Sequence, residues 1–252
     1  MIGATAAFLV AAPHLPLANG LVVFLALAAT LWAMGSLLDG RISICEALYV
    51  FAAATTCAAF ALDWPLVQDV MKPLAMALLV LAFAQREGPR DIKRLVLMAL
   101  VASLIGDTLL LRPSLFLPGL VAFLAAHGFY IAAFSRGLGF LPSRAALAGI
   151  AAFAALVLTY VWPGVSSDLK APVVIYVGVI SLMAAQAIGR AIALRTGAAV
   201  AVAAGAFIFM LSDITIALAK FGNVGWPADQ WTLPTYYLAQ GLIVFWALPR
   251  GR

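Results

Sequence analysis

Residues 198–219 read AAVAVAAGAFIFMLSDITIALA, a run of 22 residues with a single ionisable group, Asp213. At about 1.5 Å per residue a helix of this length reaches about 33 Å, enough to cross the roughly 30 Å hydrocarbon core of a bilayer. The same kind of run recurs along the chain, near 18–37, 44–62, 72–85, 93–111, 115–135, 145–162, 172–193 and 233–248. The sequence therefore predicts an all-α protein, a polytopic bundle of eight or nine transmembrane helices. The run at 72–85 is the shortest.

Composition points the same way. The 252 residues are 65% hydrophobic and 10% charged, with a mean hydropathy of +1.10. Soluble domains have about 45–50% apolar and about 25% charged residues. The chain has too few charges to cover a water-facing surface, which excludes a soluble globule, a disordered chain, a collagen-like fibre and a disulfide scaffold. Its net charge of +5 does not imply nucleic acid, because the basic residues are scattered over short loops. Cys45 and Cys57 lie in one apolar segment without metal-ligand spacing, so neither a disulfide nor a metal site is expected.

The connections are short and carry much of the Gly, Pro and charge, as in Asp39-Gly40-Arg41, Glu87-Gly88-Pro89-Arg90, Arg112-Pro113-Ser114 and Trp162-Pro163-Gly164. None holds a soluble domain. Residues 1–17 are broken by Pro13-His14-Leu15-Pro16 and lack a basic leader, so an interfacial or re-entrant lead-in is expected rather than a cleaved signal. With nine helices, eleven Lys and Arg residues fall on one side and four (Lys72, Arg112, Lys170 and Lys220) on the other. Basic residues favour cytoplasmic loops, which places the C-terminus in the cytoplasm and the N-terminus outside. A bacterial inner membrane is the expected location.

Ionisable groups inside a bilayer are costly and tend to face a bundle interior or a cavity. Three stand out: Asp107, His127 and Asp213. Asp107 precedes Arg112 by five residues and Asp213 precedes Lys220 by seven, so both are expected roughly 8–10 Å below the same surface. His127 is expected one layer deeper. Two neighbouring carboxyls resist ionising together, so one can donate a proton while the other accepts one. The plainer alternative is that each Asp only ties its helix to a neighbour, through Ser103, Ser212 or a Tyr. Phe123, His127, Tyr130 and Phe134 share a helical face, as do Tyr236 and Gln240; packing explains these as readily as chemistry does. Lys72-Pro73 is expected to open the third helix, where a helix N-terminus beside a Lys forms an anion site. Glu46 is expected to be a solvated carboxylate at a helix start.

Taken together, these residues resemble the YhhN family of membrane proteins, whose eukaryotic members include lysoplasmalogenases. The likeness covers about residues 70 to 248. It rests on Lys72-Pro73, Gly106-Asp107, the Gly119…Phe123…His127…Tyr130 helix, Gly205…Phe209…Ser212-Asp213 and Tyr236-Tyr237…Gln240. The family usually has one helix before the Lys-Pro helix, and two are expected here. Residues 1–43 then form a lead-in plus an added helix, and 44–252 the family-like domain.

The resemblance implies hydrolysis of the vinyl ether bond of a lysoplasmalogen to a fatty aldehyde and a glycerophospho-base. Asp107 and Asp213 would be catalytic, with Lys72, His127, Tyr130, Tyr236, Gln240, Ser103 and Ser212 binding substrate or supporting the pair. A vinyl ether reacts by protonation at carbon, which needs an acid, a base for water and negative charge near the resulting cation. Two Asp residues supply these without metal or cofactor, so none is expected. The expected partners are a lysophospholipid substrate and membrane lipids.

Two rivals are weighed against this reading. An intramembrane aspartyl protease needs Tyr-Asp and Gly-x-Gly-Asp, and neither Asp107 nor Asp213 sits in such a motif. A small-molecule or lipid transporter with the Asp residues as proton relay remains compatible with an acidic pair, although no inverted repeat supports it.

Overall fold

The structure, a computed structural model, describes residues 17–222, 224 and 228–248. Nine α-helices and no strand occur among the described residues: α1 (Leu17–Leu38), α2 (Ile44–Ala61), α3 (Pro65–Ala84), α4 (Arg90–Leu109), α5 (Phe116–Phe134), α6 (Arg144–Val161), α7 (Lys170–Leu194), α8 (Gly197–Phe221) and α9 (Thr232–Ala247). The expected lead-in up to residue 16, with its Pro13–Pro16 break, lies outside the described residues. Seven helices are long and apolar enough to cross a membrane. The other two are α4, which carries Lys93, Arg94 and Asp107, and α9, which has 16 residues.

Helix α9 is the hub of the bundle. It packs on α2, α3 and α8. Its side chains also reach α4 and α5 through the hydrogen bonds of Tyr236 and Gln240. Ala239, Gln240, Ile243 and Val244 are fully buried. Tyr49 of α2 donates to the Tyr237 carbonyl at 2.7 Å and closes the bundle between its early and late helices. Two helices stand outside: α1 lies against α2, and α6 lies against α7. Their many exposed large apolar side chains, among them Phe24, Leu31, Trp32 and Leu156, suit contact with lipid.

Close approaches at glycine set the α9 position. A Cβ on Gly205 of α8 would lie 2.9 Å from the Ala239 carbonyl oxygen and 3.0 Å from the Ile243 amide nitrogen. These are backbone atoms of α9 and cannot swing aside. Small residues at such crossings let helices pack by van der Waals contact where lipid provides no hydrophobic drive. Gly205→Ala should therefore destabilise the fold by about 1–3 kcal/mol, as overpacking does. The thermal unfolding midpoint in detergent, compared with that of Gly128→Ala, whose Cβ would meet open space, measures this.

Two sequence expectations need correction. Helix α3 starts at Pro65, not at Lys72-Pro73, and Pro73 lies inside it. Both prolines carry the same start signal, but Pro65 occupies the first helical position, where a missing N–H costs nothing. Lys72 is therefore a mid-helix residue, and no helix N-terminus backs it. Glu46 is not solvated. It is 6% exposed and completes a capping box with Ser43. It also pairs with Arg86, which in turn donates to the Phe245 carbonyl at 2.8 Å.

Candidate active site

Lys72, Asp107, Asp213 and Tyr236 gather near one end of the bundle, the end where α4, α6 and α8 finish and α3, α5, α7 and α9 begin, while Gln240 and Tyr130 lie deeper. Asp107 lies two residues before the end of α4, roughly 3 Å along the axis, and Asp213 eight residues before the end of α8, roughly 12 Å. Lys72, Tyr176 and Tyr236 lie roughly 6–10 Å inside the starts of their helices. The depths of the two Asp residues thus differ more than expected, because α4 stops at Leu109 and not near Arg112. Both nevertheless line one cavity.

Glycine again places the carboxylate. A Cβ on Gly106 would sit 2.7 Å from the Phe123 ring, so the glycine lets α5 close against α4 beside Asp107. Asp107 is 2% exposed. Its Oδ2 accepts from the Tyr236 hydroxyl at 2.6 Å, and its Oδ1 lies 3.3 Å from Lys72 Nζ. Behind Tyr236 a polar string continues through the fully buried Gln240. Gln240 Nε2 donates to Ser103 Oγ at 3.1 Å and to Tyr236 Oη at 3.3 Å. Its Oε1 accepts from the Tyr130 hydroxyl at 2.6 Å. Four helices, α3, α4, α5 and α9, thereby fix one carboxylate, and buried polar groups of this kind are rigid when every member is satisfied.

Asp213 has a separate set of neighbours. Its Oδ2 accepts from the Tyr176 hydroxyl at 2.5 Å. His127 Nε2 stands 4.0 Å from the same oxygen, beyond hydrogen-bond reach. The imidazole is fully buried, edge-on to Tyr176 and Phe209, and neither ring nitrogen has a hydrogen-bond partner among the described residues. Ser212 Oγ donates to the Thr232 carbonyl at 2.9 Å and ties α8 to the start of α9.

The cavity measures about 110 Å³. Lys72, Asp107, Tyr176, Ser212, Asp213, Thr232 and Tyr236 supply its polar wall. The rest is apolar, from Phe116, Leu120 and Phe123 of α5 to Ala154, Val157, Leu158 and Val161 of α6. An engineered apolar cavity of about 150 Å³ takes up one benzene, so this space suits a fragment of similar size and not a whole lipid. A larger cavity of about 520 Å³ lies at the opposite end. Its one charged lining residue, Arg190, donates to the Phe134 and Arg136 carbonyls, which leaves no group there poised for chemistry.

Of the residues expected from sequence, Asp107, Asp213, Lys72, Tyr236 and Ser212 line the cavity. Ser103, Tyr130 and Gln240 stand behind it as the polar string, and His127 stands behind Asp213. Sequence reasoning missed Tyr176. Its signal was a lone hydroxyl in the apolar run Val173-Val174-Ile175-Tyr176-Val177, at a depth close to that of Asp213. It also placed Lys72 in an anion site, whereas Lys72 faces Asp107.

The YhhN family's sequence profile matches residues 67–246. Two human relatives are similar: Lysoplasmalogenase TMEM86B, 34% identical over 155 residues, and Lysoplasmalogenase TMEM86A, 32% identical over 161 residues. The matches cover 60% and 61% of this chain but 62% and 65% of the relatives, less than two thirds of their length. No solved structure matches.

Proposed function

The chain belongs to the YhhN family, and from that membership together with the two-carboxyl cavity we propose that it is a membrane hydrolase cleaving the vinyl ether bond of an alkenyl lysophospholipid. The observation that carries this reading is that Asp107 and Asp213, from different helices, open into one apolar-walled cavity. The human relatives are named lysoplasmalogenase, which names the bond class. The chemistry suits the cavity. One carboxyl protonates the β-carbon of the vinyl ether, and the oxocarbenium ion so formed is captured by water. The other carboxyl takes the proton of that water, and the hemiacetal collapses to aldehyde and alcohol. The neighbouring tyrosines hold the carboxyls in place, and the apolar walls hold the vinyl group. With Lys72 occupied by Asp107, the phosphate is left outside the cavity.

The chain is an integral membrane protein. With its C-terminus in the cytoplasm, as the loop charges favour, the cavity opens toward the outer half of the bilayer. A plasma membrane, in a bacterium the inner one, is the proposed location. The test is aldehyde release by the purified protein in detergent from an alkenyl lysophospholipid, with an alkyl ether analogue as control. A transporter shows no turnover under these conditions, and absence of aldehyde overturns the reading.

His127 supports Asp213 in this proposal. His127→Ala is expected to lower turnover about 10–100-fold through loss of positioning while the protein still folds. Reduced folding with unchanged specific activity in the folded fraction would assign His127 to packing alone.

A further inference from the structure

The two carboxyls are not equivalent. Asp107 has a donor at each oxygen, Lys72 Nζ at 3.3 Å and the Tyr236 hydroxyl at 2.6 Å. A cation and a hydroxyl on the two oxygens favour the carboxylate form and occupy the positions where a proton would sit. Among the described residues no Lys or Arg pairs with Asp213. Only Tyr176 donates to it, at Oδ2, and no donor reaches Oδ1 among the described residues. Its side chain is also the more open, 14% exposed against 3% for Asp107. This difference decides between roles, because an acid that protonates carbon must itself touch that carbon, whereas a base acts through an intervening water.

We propose that Asp213 is the acid that protonates the β-carbon and that Asp107, held as a carboxylate by Lys72, is the base that takes the proton of water. This rests on the vinyl ether reading above and deepens it. The Asp213 proton goes to the β-carbon as the C=C electron pair forms the C–H bond, leaving an oxocarbenium ion. Water oxygen bonds to the α-carbon, and its proton passes to Asp107. In the collapse, the hemiacetal hydroxyl returns a proton to Asp213. The bond to the glycerol oxygen breaks, and that oxygen takes the proton from Asp107. Both carboxyls end as they began, and the net change is vinyl ether plus water to aldehyde plus alcohol. The groups facing Asp107 are Lys72 from α3, Tyr236 from α9 and, across the cavity, Asp213. Those facing Asp213 are Tyr176 from α7, His127 from α5 and Asp107 from α4. Lys72 is a positioning residue that works through Asp107.

Azide tests the assignment, because it attacks an oxocarbenium ion without needing a base. In Asp107→Asn the acid remains, so azide should restore substrate consumption at least about tenfold, a part of what a lost base removes, and mass spectrometry should find the α-azido ether. In Asp213→Asn the blocked step comes first, so azide should restore nothing. Lys72→Met should behave as Asp107→Asn does, including the rescue, which a merely structural lysine would not show. Should a single variant fail to fold, Lys72→Met/Asp107→Asn strands no charge and serves as the same test. Rescue of Asp213→Asn, or failure to rescue both Asp107→Asn and the double variant, overturns the assignment. Azide failing to rescue Lys72→Met alone overturns the role given to Lys72. Near wild-type rates in both Asn variants are a different result, because they remove the two-carboxyl reading itself.

Discussion

Asp107→Asn and Asp213→Asn should each lower aldehyde release about 10²–10⁴-fold, the range that proton-transfer catalysis supplies. Asn keeps the shape of the side chain and can still accept from Tyr236 or Tyr176, but it neither donates a proton to carbon nor takes one from water. The same logic fixes the pH response. In the proposed mechanism one carboxyl is protonated and the other ionised, so the rate should fall at low pH, where the base gains a proton, and at high pH, where the acid loses its own. The maximum between these limits belongs to the pair and not to either residue alone. Proton transfer to carbon is the difficult step, so turnover should be slower in D₂O. Initial rates over pH in H₂O and D₂O, on protein checked for folding by size-exclusion elution, measure all of this. If both variants fold and turn over near wild-type rates, neither carboxyl is catalytic.

Glu46→Ala should give the largest loss of stability, about 3–5 kcal/mol, because it leaves the Arg86 guanidinium buried without its carboxylate. The pair is 7–8% exposed and joins the start of α2 to the end of α3. Through the Phe245 carbonyl and the Phe245 ring, 5.3 Å from the guanidinium carbon, it also grips α9. The alanine removes the capping box with Ser43 as well. The double variant Glu46→Leu/Arg86→Leu should recover much of the loss, since a buried ion pair is often no better than apolar residues of similar size. Thermal unfolding in detergent distinguishes the two. Turnover at low temperature should stay near wild type in both, because the pair lies at the end of the bundle away from the cavity. A Glu46→Ala midpoint equal to wild type would show that Arg86 finds water.

The helices were legible because crossing a bilayer demands long apolar runs, and all nine appear in the structure within a few residues of their expected bounds except at α3. There two prolines carry the same signal, and Gln68 and Asp69 interrupt the apolar run between them, which hides the earlier start at Pro65. The carboxyl pair was legible because intramembrane charge is rare enough to be noticed singly. Its partners were less so. Tyr176 and the Lys72–Asp107 pair each join consecutive helices, α7 with α8 and α3 with α4, but which faces of those helices meet depends on their rotation in the bundle, which sequence spacing does not contain. Glu46 was misplaced for the same reason, since Arg86 lies 40 residues away and only the packing of α3 on α2 brings it near. His127 shared its helical face with Tyr130, but α8 reaches one of them and α9 the other, so they serve different parts of the site.

The modest size of the cavity and its wall of α5 and α6 side chains have a kinetic consequence. If the proposed reaction holds, a space that takes the vinyl ether but not the whole chain leaves the hydrocarbon tail among the lipids, so the reactant is delivered from a two-dimensional solution. Its effective concentration is then a mole fraction in the surface and not a molarity in the tube. Adding inert lipid or detergent at constant substrate should slow the reaction by dilution within the surface, while adding water should change nothing.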